Sequence, residues 1–269
     1  MKNSTLFEIL KELPLYGVCS FADIENNLLP CRAKSRLPEN AKSVIVAAFP
    51  YLLPKECYEG SNISKYAVPR DYHDYVVPLL SSLCNKLSEN FSENKFVPFA
   101  DNSPIPEVDA ACLAGLGVKG LNSLLITEKY GSFVFVGEIV TDMFIEPTGD
   151  KIKECEKCGK CVSACPGKAI SEKGIDKEKC LSHITQKKGE LREEEINLIK
   201  KSGCIWGCDI CQNVCPYNKN PATTNIEEFL AGAEPVLDFG TSLEGRAFGW
   251  RGKATVERNI KLYHEHKGF

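Results

Sequence analysis

Four cysteines and a proline fall within twelve positions of the run CEKCGKCVSACPGKAI, which starts at residue 155; a second run, CDICQNVCPYNK, starts at residue 208. C-x2-C-x2-C-x3-C-P is a specific pattern. Three thiolates at spacings of three wrap one iron–sulfur cube, and the fourth, four residues on, points away to ligate a second. The proline after it stops the chain from continuing as regular hydrogen-bonded structure. Cys155, Cys158, Cys161 and Cys165–Pro166 fit, and Cys208, Cys211 and Cys215–Pro216 supply the mirrored half. By the crossing of ligands in such proteins, Cys215 returns to the first cluster while Cys165 joins Cys208 and Cys211 on the second. Two 4Fe–4S clusters need eight ligands, and spacing leaves the eighth open between Cys180 and Cys204. Zinc also uses C-x2-C pairs, but three cysteines in seven residues followed by C-P are rare in zinc knuckles.

The 14 cysteines of this 269-residue chain do not describe a secreted disulfide scaffold. Nine of them lie between residues 155 and 215 in metal-ligand spacing, and a chain this long has core enough without staples. Cys19, Cys31, Cys57, Cys84 and Cys112 are scattered and read as small buried apolar residues in a reducing compartment. A formal charge of −3 gives no general attraction to nucleic acid or anionic membrane, although a local basic patch stays open. The start, MKNSTLFEIL, lacks the basic and apolar regions of a signal peptide, and no run of about 18 apolar residues occurs. A cytoplasmic location without membrane contact is expected.

A two-cluster ferredoxin needs far less chain than this, so the residues before 149 must serve something else. AKSVIVAAFPY, residues 41–51, is a continuous β-branched apolar run and predicts a buried strand. Helical spacing begins at Tyr75, KFVPF predicts a strand, and a helix is expected from about Pro106 to Leu116. SLLITEKYGSFVFVGEIVTD reads as a hairpin around EKYGS. Strands alternating with helices argue for an α/β (α+β) domain over residues 1–148. EPTGDKIKE then marks a joint, a ferredoxin-like double-cluster domain follows over 149–222 with one or two charged helices, and 223–269 forms a C-terminal extension on the core.

Six segments in order, namely AKSVIVAAFPY, KYAVPRDYHDYV, ADNSPIPE, AGLGVKGLNSLLITEKYGSFVFVGEIVTD, the paired cysteine motifs and WRGKATVERN, resemble the cobalamin-dependent epoxyqueuosine reductases, which complete queuosine in tRNA. The resemblance covers residues 41 to 262. It implies a front domain that holds cobalamin, related in fold to reductive dehalogenases, with electrons reaching cobalt through the two clusters. It places the eighth ligand at Cys180 and gives Cys204 no counterpart. Asp101 falls on the family's proposed proton donor, a role that asks for a carboxyl in a dry site; read alone, Asp101 is equally a turn cap. His73 matches a family histidine but by itself reads as a structural residue. By position, Ser64, Asp101, Leu125, Val136 and Leu181 are the implied cofactor contacts.

The sequence departs from the family at Leu121, where a lysine is common, and in DNSP, where D-T-G-P is common. The family often has a longer segment before the first strand, and many members carry C-terminal HEAT-like repeats that help grip tRNA; neither is expected from these 269 residues. The implied partners are tRNA carrying epoxyqueuosine and a low-potential donor such as a flavodoxin or ferredoxin, acting on a monomer. The alternatives are a paralogous reductase of a smaller molecule and a non-catalytic iron–sulfur electron carrier.

Overall fold

The computed structural model describes residues 2–267. Ser43–Pro50 (β2) is buried at every position, as a run apolar on both faces requires. It lies between Tyr16–Ser20 (β1) and Val134–Thr141 (β6), and Phe96–Phe99 (β3) completes a sheet ordered β1-β2-β6-β3. Every pairing in it is antiparallel, with Ser43 opposite Thr141 and Phe96 also opposite Thr141 on the other side. The alternation of strands and helices therefore gives an α+β layering and, among the described residues, no parallel sheet.

Each face of the sheet carries a helix. Val76, Leu80, Leu83 and Leu87 recur at helical spacing along His73–Asn90 (α2) and bury against Ile45, Ala47, Phe49 and Ile139. The alternate residues Val44, Val46, Ala48 and Val140 face Ala110, Ala111 and Cys112 of Glu107–Leu113 (α3). Gly137 permits the close approach of α2, because a Cβ there would meet the side chains of Leu80 and Val76. The short helix Lys2–Leu10 (α1) adds Leu6 and Leu10 to the α2 side. Helix α3 ends three residues before the expected Leu116.

The expected hairpin around EKYGS does not form. Leu125–Ile126 (β5) pairs with Val118–Lys119 (β4) in a separate small sheet, and between β5 and β6 the chain turns back through the isolated bridge Thr127↔Gly131. The longer arm, β6, finds partners on both edges in β2 and β3, so its backbone groups are satisfied without β5.

The cysteine-rich part is built from short elements: Lys160–Ala164 (α4), the ribbon Ile170–Ser171 (β7) and Gly174–Ile175 (β8), Leu181–Gln186 (α5), Glu193–Ser202 (α6) and Ile210–Asn213 (α7). Helices α4 and α7, one from each cysteine motif, pack side by side. Glu227–Ala231 (α8) and Lys253–Lys267 (α9) follow. Phe229, Phe248, Val256 and Ile260 enter the same core as Phe49 and Trp206. Cys19, Cys84 and Cys112 are buried, whereas Cys31 and Cys57 are only half-buried. Among the described residues no helix is long and apolar enough to cross a membrane.

Candidate functional site

The cysteines of the two motifs gather into two sets. Cys161 lies within electrostatic reach of Cys155 and Cys215, and Cys215 within reach of Cys158. Cys208 is near Cys211 and Cys180, and Cys211 is near Cys180 and Cys165. The first set lines one cavity with Gly120, Leu121 and Tyr217. Cys204 turns aside: its thiol donates to the carbonyls of Trp206 at 3.2 Å and Gly207 at 3.4 Å, although Cys208 is also near it.

The donor set fits thiolate ligands of a cluster. Burial pushes Cys208 up to about 12 and Cys211 to about 11, so the bare thiols stay protonated, whereas a coordinating metal removes the proton outright. Backbone N–H groups already point at sulfur, from Leu121 to Cys155 Sγ and from Ala169 to Cys165 Sγ, each at 3.3 Å. Among the described residues no three His, Cys, Asp or Glu side chains converge on a single-ion site. Thiols disposed around a cavity suit a cube of irons better than one zinc.

Asp209, between two of these cysteines, ties the cluster region to the front domain. Its carboxylate accepts from Ser64 Oγ at 2.5 Å and from the Lys65 N–H at 2.7 Å. The Ser64 N–H donates to the Trp206 carbonyl at 2.8 Å. Gly207 next to it has φ +76°, and a Cβ there would fall on the side chains of Ser64 and Tyr66, so only glycine allows this approach.

At the other end of that junction stands His73, the first residue of α2. The Asp71 carboxylate accepts from its backbone N–H at 3.0 Å and lies 2.6 Å from ring atom Nδ1. Its Nε2 faces Asp101 Oδ2 at 3.7 Å. The Asp71 bond raises the His73 pKa above its ordinary 6.5. Asp101 and Asn102 both have left-handed backbones, φ 53° and 41°, in the loop that ends β3. Two successive non-glycine residues in that region store strain, which is frequent at functional loops.

Asp101 borders two cavities. One, of about 380 Å³, is walled by Tyr66, Tyr72, His73, Phe135, Gln186 and Trp250, residues far apart along the chain. The other, of about 590 Å³, runs past Cys31, Ser103, Glu107, Asp109 and Lys119. The Asp101 side chain is 71% exposed, so the dry setting expected from sequence is not a property of the chain alone.

The four other residues named as contacts line neither cavity. The Ser64 hydroxyl is taken by Asp209, and Leu125 and Leu181 are closed in apolar packing. Val136 is half-buried beside Phe135, and Leu181 opens the helix that Gln186 closes. Leu121 packs among Cys161, Cys165, Cys180 and Cys211.

Sequence reasoning missed two carboxyls. Glu138 alternates with Val136 and Val140 and so points to the α3 face, fully buried, with no partner of hydrogen-bond geometry for either oxygen. Glu107 opens α3 and lines the larger cavity. An acid inside the apolar run VFVGEIVT was the available signal.

Comparison with known proteins adds the following. A family profile described as epoxyqueuosine reductase QueG matches residues 32–102, and one for a 4Fe–4S double cluster binding domain matches 154–218. An epoxyqueuosine reductase of Lactococcus garvieae is 33% identical over 246 residues, covering 82% of this chain and 68% of that protein. One from Aliivibrio fischeri is 36% identical over 194 residues, 69% of this chain and 52% of the relative. The chain thus spans about half to two thirds of the length of these relatives. A solved epoxyqueuosine reductase with an epoxyqueuosine-modified tRNA stem loop shares the fold, with a TM-score of 0.81 at 24% identity over 98% of this chain and 81% of that one.

Proposed function

The chain belongs to the epoxyqueuosine reductase family, and we propose that it reduces the epoxide of epoxyqueuosine in tRNA to give queuosine. The observation that carries this reading is the setting of Asp101, a carboxyl on a strained loop, facing His73 and bordering two cavities at the junction with the cluster region. Removing an epoxide oxygen as water takes two electrons and two protons, and a positioned carboxyl supplies one of those protons.

The smaller cavity offers aromatic surface of the kind that packs against a flat ring system. Tyr72 and Phe135 stack at 4.2 Å and 11°, and with Tyr66 and Trp250 they give the smaller cavity aromatic faces. Cobalamin bound here would supply the reducing centre, fed by two 4Fe–4S clusters. Cys155, Cys158, Cys161 and Cys215 are proposed to hold the first cluster, and Cys165, Cys180, Cys208 and Cys211 the second. Ser64, Leu125, Val136 and Leu181 then act through backbone and packing behind the cavity wall. The three-part division at residues 148 and 222 belongs to the same proposal.

In this account Asp101 protonates the departing oxygen. Asp71 fixes the His73 ring, and its Nε2 faces the Asp101 carboxyl from 3.7 Å on the wall of the smaller cavity. Bound tRNA and cofactor cover the exposed carboxyl and exclude water from it. The tRNA stem loop held by a relative of this fold supports tRNA as the substrate. A low-potential flavodoxin or ferredoxin is the proposed electron donor to a monomer in the cytoplasm.

Nucleoside analysis of tRNA tests the reading. A strain lacking this gene accumulates epoxyqueuosine, and the intact gene restores queuosine. Unchanged queuosine in the deletion strain would overturn it.

A further inference from the structure

We infer that Trp250, with Arg251 lying over its ring, is a stacking platform for an unpaired RNA base beside the nucleotide that is reduced. The identity of the ligand as RNA rests on the proposed function; the platform itself is read from residues to which that reaction gives no step.

The turn that carries Trp250, residues Gly249–Arg251, is firmly anchored. Phe248 before it is buried and meets the fully buried Trp206 edge to face, with ring centroids 6.0 Å apart. The Gly249 N–H donates to the Arg246 carbonyl at 2.8 Å, and the Gly252 N–H to the Gly249 carbonyl at 3.0 Å. Arg246 is itself buried, and its guanidinium donates to the carbonyls of Ala67, Val68, Gly232 and Glu234. A Cβ at Gly249 would fall on the Leu243 carbonyl, so the turn packs closely against the chain beneath it. On this fixed base Trp250 is nevertheless 61% exposed.

Arg251 accounts for one face of that ring. Its Cζ lies 3.7 Å from the indole centroid, a cation–π contact. Among the described residues Arg251 has no ion pair, and its buried Nε has no acceptor. The ring therefore holds the guanidinium, whose outer N–H groups are left to meet phosphate oxygens. Lys253 adds a second exposed cation, paired only at the surface with Glu257 at 3.4 Å. The other face of the indole is left for a base.

Trp250 also stands where the chemistry is proposed. Of the residues lining the smaller cavity, Asp101 and Trp250 are the exposed ones, whereas Tyr66, Tyr72, Phe135 and Gln186 are half-buried. The two mark its mouth. A nucleotide that presents its reacting group to Asp101 brings its chain neighbours to the same rim. Bases of a single-stranded loop are recognised by stacking on aromatic side chains backed by Arg, with cations on the phosphates. A formal charge of −3 gives the chain no general attraction for RNA, so the grip has to be local.

Binding tests this on the full chain with its clusters reconstituted, and needs no turnover. The probe is an unmodified tRNA stem loop, labelled for fluorescence anisotropy. Trp250→Ala should weaken its binding about 5- to 100-fold, as for removal of one base–aromatic stack, with iron content unchanged. Trp250→Tyr keeps a flat face and should stay within about 3-fold of the parent. The chain has two tryptophans and Trp206 is fully buried, so intrinsic emission reports Trp250. RNA should quench that emission in the parent and leave it unchanged in Trp250→Tyr.

Parental affinity in Trp250→Ala overturns the inference, as does parental emission that RNA leaves unchanged or a parent that does not bind the RNA. Equal losses in Trp250→Ala and Trp250→Tyr overturn it too, because a stack survives the exchange of one aromatic ring for another. If Trp250→Ala keeps its RNA affinity but binds cobalamin more weakly, the indole serves the cofactor and the inference falls. Should Trp250→Ala not fold, the emission of the parent and of Trp250→Tyr decides. The proposed function fails separately: a modified loop bound through Trp250 but never reduced would end that reading and leave the platform standing.

Discussion

Ring atom Nε2 of His73 lies 3.7 Å from Asp101 Oδ2, while Nδ1 of the same ring lies 2.6 Å from Asp71 Oδ1. One imidazole is thus strung between a half-buried carboxylate on its own helix start and an exposed one on a strained loop. Asp71 does two jobs in this arrangement, capping the first N–H of α2 and fixing the ring.

That pairing makes His73 titrate above its ordinary value, with the Asp71 hydrogen bond as the main cause. The folded-state value exceeds the unfolded one, so the stability it adds is fully present below about 6.5 and is lost as pH rises through the raised value. Asp71→Asn should return the titration toward 6.5, read by NMR of the ring protons. An unchanged titration would show that Asp71 does not hold the charged ring.

Asp101→Asn keeps the shape of the side chain and removes its transferable proton. Both clusters should remain and cobalamin should still bind, while turnover falls by about 10² to 10⁴. Normal turnover would reduce Asp101 to a turn residue, and loss of cobalamin binding would make its role architectural.

Cys180 and Cys204 should separate by iron content. Cys180 stands with Cys208 and Cys211, whereas the Cys204 thiol is occupied by two backbone carbonyls. Cys180→Ala is expected to lose the iron of one cluster, with close to eight irons per chain falling toward four, and Cys204→Ala to keep near the parental content. The reverse result would exchange their assignments.

Seven of the eight proposed cluster cysteines are legible in spacing alone, because there the spacing is itself the geometry; Cys180, set apart from both motifs, is assigned only by the resemblance. The α2 stripe and β2 were legible for the same reason, since local periodicity reports burial. The hairpin was not: whether β6 pairs with β5 or with β2 and β3 is decided by strands many residues away. Glu138 was readable as an acid within an apolar strand, but the sequence did not show that neither of its oxygens finds a hydrogen-bond partner. Contacts made through backbone, such as those assigned to Ser64 or Leu181, leave no side-chain pattern to read.

Asp209 couples the cluster motif to the front domain through the Ser64 hydroxyl and the Lys65 N–H. Asp209→Ala leaves both donors unpaired at a partly buried junction. Hydrogen bonds to charged groups contribute about 1.5–3 kcal/mol, so the apparent melting temperature of the reconstituted protein should fall by several degrees. An unchanged melting temperature would mean that Ile63↔Trp206 and its neighbours hold the junction by themselves.

The central claim is the removal of one oxygen from epoxyqueuosine in RNA. The direct measurement incubates the protein, reconstituted anaerobically with iron, sulfide and cobalamin, with a tRNA stem loop carrying epoxyqueuosine and a low-potential reductant, followed by mass analysis of the nucleosides. The account predicts queuosine, one oxygen lighter, formed only when cobalamin is present. Epoxyqueuosine returned intact by protein with full clusters and bound cobalamin would contradict it.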